Sequence, residues 1–505
     1  MLTRRAAMTA LAARPAVAHR ADARPGRKPN FLFLIADDHA GYVLGADGNR
    51  LARTPNLDRL ASEGTRFASH YCNSPVCTPS RQSFLTGQMP CMAGVTVLTT
   101  PLAEDKPTIA KQLRESGYRT AVFGKMHFNR QSHAGMHGFE SLMTDSDTPK
   151  AHAARVDPTP PPPAVRVKPP WRPFRDPASV WLNAGKLPYP RYEEDMTGTF
   201  LAREGCRFME EHKGGPFALW VSFHEPHSPF DFPIEYTNRF DPSGFTVPRV
   251  GPEDAWQIPL IFRGLSDEEK RGIVAAYYTS VAFLDRNVGL VLDKLRDLGL
   301  ERDTLVVYLA DHGYSLGQHG RFEKHCCYDP ALRVPLIMRF PGRIRRGATG
   351  DFTESIDVAP TILDMLGAPP LPLMHGRSLR PYLEGVRPAA ARRDHIFSQY
   401  LENEEACIRT ARHKFIFCTG RRKRTDGYLT DKPTPGRYIR LYDLKKDPGE
   451  FTDIAARVPK TAARLRGMML ERFLKTHPES ASLPRGLSEE ESLEWFLRPR
   501  DGRYL

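Results

Sequence analysis

The sequence holds no apolar run of the roughly 20 residues that a membrane-crossing helix needs, so nothing in it points to bilayer insertion. Cysteine is scarce, eight residues in 505 and scattered at 72, 77, 91, 206, 326, 327, 407 and 418. That number excludes a disulfide scaffold. No two stand in C-x-x-C spacing, which removes the commonest zinc signature. Cys407 and Cys418 flank IRTARHKFIF, and a hairpin there would let those two pair. Internal repeats are absent, and no motif of a nucleic-acid-binding fold supports the basic balance. The formal charge of +13 falls to +7 once the first 28 residues, with seven basic side chains against one acidic, are set aside. Such a field attracts anionic substrates but is equally common on an ordinary solvated surface.

What is present is enough chain, 40% hydrophobic and 26% charged, for one large core and a smaller appended domain. The opening MLTRRAAMTALAARPAVAHRA sets a twin arginine before a short Ala/Leu/Met run and the triplet Ala16-Val17-Ala18. Residues 1–28 therefore read as an export leader of the twin-arginine type, leading to the periplasm or the medium; a basic tail on a cytoplasmic protein is the alternative.

Strand-like and helical runs alternate, which predicts an α/β fold on a large, mostly parallel sheet flanked by helices. NFLFLIA ends in Asp37-Asp38, RTAVFG in Lys125 and His127, FALWVSF in HEPHSPF, and TLVVYLA in Asp311-His312-Gly313. Four strands that each release ionisable residues at their carboxyl ends mark the edge where open α/β sheets bind ligands. The clearest helix runs from about Gly272 to Leu298, with Ile273, Tyr277, Val281, Leu284, Val288, Val291 and Leu295 on its core face. Eleven prolines between Pro158 and Pro190 predict an irregular insertion at about 157–190, a structural wrap or a substrate-side lid. The composition turns polar and basic near Arg387, so residues 29–387 read as a catalytic domain. Residues 388–505 read as a smaller α+β subdomain, with HIFSQY, KFIFC and RYIRLYDL in a short antiparallel sheet and a final helix over about 460–476.

Asp37, Asp38, Asp311 and His312 bring three carboxylates and an imidazole to one sheet edge. Carboxylates so close repel unless a cation neutralises them, and a mainly oxygen-lined site suits Ca²⁺ or Mg²⁺ better than Zn²⁺. An Asp-Asp pair alone is more often a turn or cap; the conjunction with Asp311-His312 points to metal. Lys125, His127, His224, His227 and Lys324 add groups that hold an oxyanion and move protons to a leaving alcohol, which describes an anion-ester hydrolase. On its residues alone, Cys77 in NSPVCTPSRQSFLTG is open to four readings: a buried thiol, half of a disulfide, a nucleophile, or a precursor.

CTPSR (77–81), TPNLDRLASEGTRF (54–67), GKMH, PHSPF, DHGYSLGQHGRFEK (311–324), RVPLIMRFPGR (333–343) and SIDVAPTILDMLG (355–367) together resemble the type I sulfatases of the alkaline phosphatase superfamily. The resemblance runs in order from about Asn30 to Leu383, and LYDLKKDPGEFTDIA (441–455) is similar to the family's C-terminal segment. It implies that Cys77 is oxidised to Cα-formylglycine by a dedicated formylglycine-generating enzyme, whose recognition element C-x-P-x-R is complete with Pro79 and Arg81. It implies Asp37, Asp38, Asp311, His312 and the modified Cys77 as ligands of Ca²⁺ or Mg²⁺; His312 stands where many members have Asn. By the same resemblance Arg81 braces the formylglycine, Lys125 and Lys324 bind sulfate oxygens, and His127 and His227 handle protons. The implied activity is hydrolysis of a sulfate monoester, on a carbohydrate, through a covalent sulfate intermediate on formylglycine. Two alternatives stand beside it: a phosphonate monoester or phosphodiester hydrolase with the same residues, and a non-catalytic anion-binding relative.

Overall fold

NFLFLIA, Asn30–Ala36, is buried at every position, which a strand covered on both faces requires. In a computed structural model of the chain, which describes residues 28–165, 181–386, 392–422, 428–430 and 436–501, this strand (β1) lies in the middle of the main sheet. The leader, the middle of the proline-rich insertion and the boundary near Arg387 lie outside the described residues.

The other strands of the larger unit are β2 (Thr65–Phe67), β3 (His70–Tyr71), β4 (Arg119–Gly124), β5 (Ser141–Thr144), β6 (Phe217–Ser222), β7 (Thr304–Ala310), β8 (Leu336–Arg339), β9 (Gly347–Thr349) and β10 (Thr353–Glu354). Seven of them join β1 in one eight-stranded sheet of order β5-β4-β6-β1-β7-β8-β2-β9, and β3 pairs with β10 separately. From β5 to β7 all pairings are parallel, while β8 runs against both β7 and β2. The predicted mostly parallel sheet is therefore mixed at one side. The register makes the carboxyl ends level: Ala36 pairs with Ala310, Ile35 with Ser222, and Ser222 with Gly124. The residues just past these four strands leave the sheet along a single edge.

The long helix spans Asp267–Asp297, five residues earlier than the apolar periodicity indicates, because Ser266 and Glu269 form a capping box ahead of the first buried position. Its buried face includes all seven of the predicted core residues. Among the described residues no helix is long and apolar enough to cross a membrane.

The C-terminal unit is an antiparallel meander of β11 (His395–Tyr400), β12 (Glu405–Thr410), β13 (His413–Cys418) and β14 (Tyr438–Asp443), covered by the helix Pro459–Thr476. That helix is not the last: Glu489–Phe496 comes after it and stacks Phe496 on Phe473. The hairpin β12–β13 forms, but Cys407 and Cys418 do not pair across it. The register sets Cys407 opposite Ile416 and Cys418 opposite Glu405, and both thiols are free and buried. Cys326 and Cys327 are packed in an apolar cluster with Tyr71, Cys72 and Cys407.

Glu354 ties the two units together. Its buried carboxylate meets Arg393 at 3.3 Å and Arg472 at 2.9 Å and accepts the Phe397 amide at 2.8 Å. Burial raises this carboxyl, but the two guanidiniums outweigh that and hold it at about 2, below the ordinary 4.5. A carboxyl lowered by folding adds stability above its ordinary pKa and loses it as pH falls through the folded value. Glu354→Gln is expected to cost about 3 kcal/mol at neutral pH. The gap from the parent protein should close between pH 4.5 and about 2, as read from denaturant midpoints.

Candidate active site

The level strand ends dictate the site. After β1 the chain turns at once, with Asp38 at φ +66°, a left-handed conformation that aspartate tolerates. Tyr277 of the long helix secures the turn, donating to the Asp38 carbonyl at 2.5 Å and accepting the Ala40 amide at 2.9 Å. At the end of β4, Gly124 has φ +102°, and a Cβ there would stand 1.9 Å from the Ser222 carbonyl oxygen, so only glycine lets Lys125 leave the sheet this close to β6.

The helix Cys77–Thr86 lies across this edge and is buried at all ten positions. It begins at Cys77 itself and carries Pro79 in its first turn, where proline is well placed. Ser80 donates its hydroxyl to the Asp311 carbonyl, and the Gln82 amide donates to the carbonyls of Met126 and His127 at 3.2 Å. These bonds staple the helix to the ends of β7 and β4.

Arg81 joins the whole edge. Its Nη2 meets Asp37 at 2.9 Å and its Nε meets Asp311 at 2.9 Å. Its Nη1 donates to Ser222 Oγ at 2.9 Å and to the Lys125 carbonyl at 2.5 Å. Lys125 Nζ lies 2.5 Å from Asp37, and Lys324 Nζ lies 2.9 Å from Asp38. Burial pushes Asp37 up, but Lys125 and Arg81 outweigh it and hold the carboxyl well below its usual value. Asp38 is different: burial raises it to about 6, with Lys324 and His312 only partly opposing.

Cys77 Sγ sits within this frame, 3.1 Å from both Lys324 Nζ and His312 Nε2, 3.7 Å from Asp37 and 4.0 Å from Lys125. Burial and Asp37 raise the thiol, yet Lys125, Lys324 and His312 bring it down to about 7. Ligand atoms of Asp37, Cys77, Asp311 and His312 all lie within 4.8 Å of one another. Asp38 Oδ2, buried and 3.8 Å from His227, has no hydrogen-bond partner. An oxygen-rich buried set with one unsatisfied carboxylate oxygen fits a hard divalent cation.

All ten residues predicted for the site thus meet at one edge. His127 enters with φ +54°, its amide held by Asp145 at 3.0 Å and its Nδ1 buried without a partner. Burial, Lys125 and Arg81 lower its pKa to about 3, and burial likewise holds His227 well below the usual histidine value. His227 Nδ1 faces the Ser228 carbonyl at 2.8 Å and therefore carries its proton there. Sequence reasoning missed Asp145 and Gln82, which bind backbone, and Ser222, which accepts from Arg81; none of the three carries a motif signal.

A cavity of about 760 Å³ opens beside the centre, with Lys125, His127, His224 and His227 on one side. Tyr189 from the proline-rich insertion, Arg191, Glu225 and Asp231 line its other walls. Tyr189, near the end of the insertion, is the part of it among the described residues that lines this cavity.

A buried cysteine flanked by lysines and carboxylates on the ligand edge of an α/β sheet is the arrangement expected of a hydrolase of anionic esters. Comparison with known proteins narrows this. The chain belongs to the sulfatase family, whose sequence model matches residues 29–368. A second model, N-sulphoglucosamine sulphohydrolase, C-terminal, matches residues 317–477. The chain is 28% identical to a choline-sulfatase of Rhizobium meliloti, over 94% of this chain and 92% of that one. It is 26% identical to an N-acetylglucosamine-6-O-sulfatase of Bacteroides thetaiotaomicron, over 85% and 83%. Among solved structures, a phosphonate monoester hydrolase of Silicibacter pomeroyi superposes with a TM-score of 0.74 at 26% identity, covering 90% of this chain and 97% of that one. The protein is a sulfatase, a hydrolase of sulfuric esters.

Arg81→Ala leaves Asp37 and Asp311 buried without their shared cation and is expected to cost about 3–5 kcal/mol. Arg81→Lys, which lacks the fork that reaches both carboxylates, should recover only part of this. Chemical denaturation of the three proteins at neutral pH checks both.

Proposed function

We propose that the protein hydrolyses a sulfate monoester of a saccharide, with Cys77 converted to Cα-formylglycine by a formylglycine-generating enzyme and with Ca²⁺ or Mg²⁺ held by Asp37, Asp38, Asp311 and His312. The observation that carries the reading is the position of Cys77 Sγ, 3.1 Å from both Lys324 and His312 at the start of a buried helix that bears Arg81 one turn later. The saccharide assignment is supported by the N-acetylglucosamine-6-O-sulfatase among the relatives.

When bound, the cation supplies charge that favours ionised oxygen at position 77 and on the sulfate. Conversion would place a hydrated aldehyde at position 77; one ionised hydroxyl would form a bond to sulfur as the bond from sulfur to the alcohol oxygen breaks, and loss of the proton from the other hydroxyl would then expel sulfate by C–O cleavage and restore the aldehyde. The chain's own residues do the rest. Lys125 and Lys324 lie on two sides of position 77 and hold the sulfate oxygens. His127, neutral at working pH and with a free Nδ1, takes the proton of the second hydroxyl. Lys324, held charged by its carboxylates against the effect of burial, donates to the leaving oxygen. His227, kept neutral, orients the ester from the cavity side.

Digestion and mass spectrometry of active enzyme should show an aldehyde in place of the thiol at position 77. Cys77→Ala should abolish turnover of a chromogenic sulfate while leaving the melting temperature within a few degrees. Full activity with an intact Cys77 thiol would sink the reading. Chelation should remove turnover and Ca²⁺ or Mg²⁺ should restore it. The likeness to a phosphonate monoester hydrolase supports a second reading. It predicts a higher kcat/KM for an aryl phosphonate monoester than for the matched aryl sulfate; the sulfatase reading predicts the reverse.

A further inference from the structure

In the cavity beside the proposed sulfate site, the charged side chains are not in the same condition. Lys125 is committed to Asp37 at 2.5 Å. Arg191 is tied back, its Nη1 lying 3.4 Å from His152 Nδ1 and 3.3 Å from the Asp195 carbonyl oxygen. Asp145 accepts the amides of Met126 and His127 at 3.3 and 3.0 Å. The two remaining acids differ from all of these. Glu225 is 5% exposed, and its Oε2 has no hydrogen-bond partner; Asp231 Oδ1 is also buried and unpartnered.

An unsatisfied buried polar atom is costly and in a native protein calls for an explanation, of which a bound partner supplying the missing hydrogen bond is one. Burial raises both carboxyls to about 7, and Asp231 pushes Glu225 further the same way. Both acids sit on the segment that carries His224 and His227, so their distance from the reacting group is fixed by one short stretch of chain. These carboxyls are partly protonated near neutral pH, and a hydroxyl on the substrate would satisfy one oxygen without favouring their ionised form. A carboxylate or a second sulfate would be repelled. An ammonium group brings three donors and the opposite charge.

We propose that Glu225 and Asp231 form an acidic subsite that binds a protonated primary amine on the alcohol part of the ester, so that the preferred saccharide is a sulfated amino sugar whose amine is free. The inference rests on the sulfatase reading of the adjoining site and assigns these two residues to specificity, not to bond breaking.

The test uses full-length enzyme shown to carry formylglycine, loaded with Ca²⁺, and three aryl sulfates that differ only in a meta aminomethyl, hydroxymethyl or carboxymethyl group. The aminomethyl ester is expected to exceed the hydroxymethyl ester about ten-fold in kcat/KM, chiefly through KM, with the carboxymethyl ester slowest. Glu225→Gln and Asp231→Asn should each lower that ratio, and the double variant should bring it near one. Equal kcat/KM for the first two esters in the parent enzyme would overturn the subsite. So would variants that slow both esters alike and keep the ratio, the result a purely structural role gives. No turnover of any of the three esters would overturn the sulfatase reading and the subsite with it.

Discussion

The Arg81 guanidinium touches the ends of all four central strands. It holds the carboxylates after β1 and β7, the hydroxyl of the last residue of β6, and the carbonyl just past β4. Parallel strands in register deliver their ends close together, and without a planar cation between them Asp37 and Asp311 would drive each other apart. Cys77 takes its place from the same bond set, because it precedes Arg81 by one turn of the same buried helix. The position of Cys77 is therefore a by-product of an electrostatic brace.

The charges around that brace are close to balanced: Asp37, Asp38 and Asp311 face Arg81, Lys125 and Lys324, all with little or no exposure. Under the proposed reading, a divalent cation would leave such a set positive and a singly charged ester would offset part of that charge, so that affinity for the ester would depend on the cation without any change of shape. The nearby cavity obeys another logic. Under the proposed reading, Glu225 and Asp231 on its wall would face the alcohol part of the ester while Lys125 and Lys324 face the sulfate.

Much of this was legible in the sequence for a definite reason. NFLFLIA, RTAVFG, FALWVSF and TLVVYLA are buried on both faces, so they read as apolar runs, and the polar residues at the end of each run form the ligand edge. All ten predicted site residues came from those ends, from CTPSR and from GRFEK. The antiparallel β8 was not legible, since LIMR is apolar like its parallel neighbours and direction leaves no trace in composition. The pairing of Cys407 with Cys418 failed because a hairpin's register depends on its turn, and a shift of two residues separates the thiols. Asp145 and Gln82 escaped notice because they bind main-chain atoms, a task that any polar residue at the right height can perform.

Cys77 is 1% exposed and sits in the first turn of a helix clamped at both ends of the strand edge. Under the proposed conversion, an enzyme that must reach this thiol cannot do so once the sheet has closed over it. Modification and folding are then competitors for the same nascent chain, and a molecule that folds first is well formed, stable and permanently inert. The fraction of active protein becomes a record of which process was faster during synthesis, fixed before the molecule ever meets an ester.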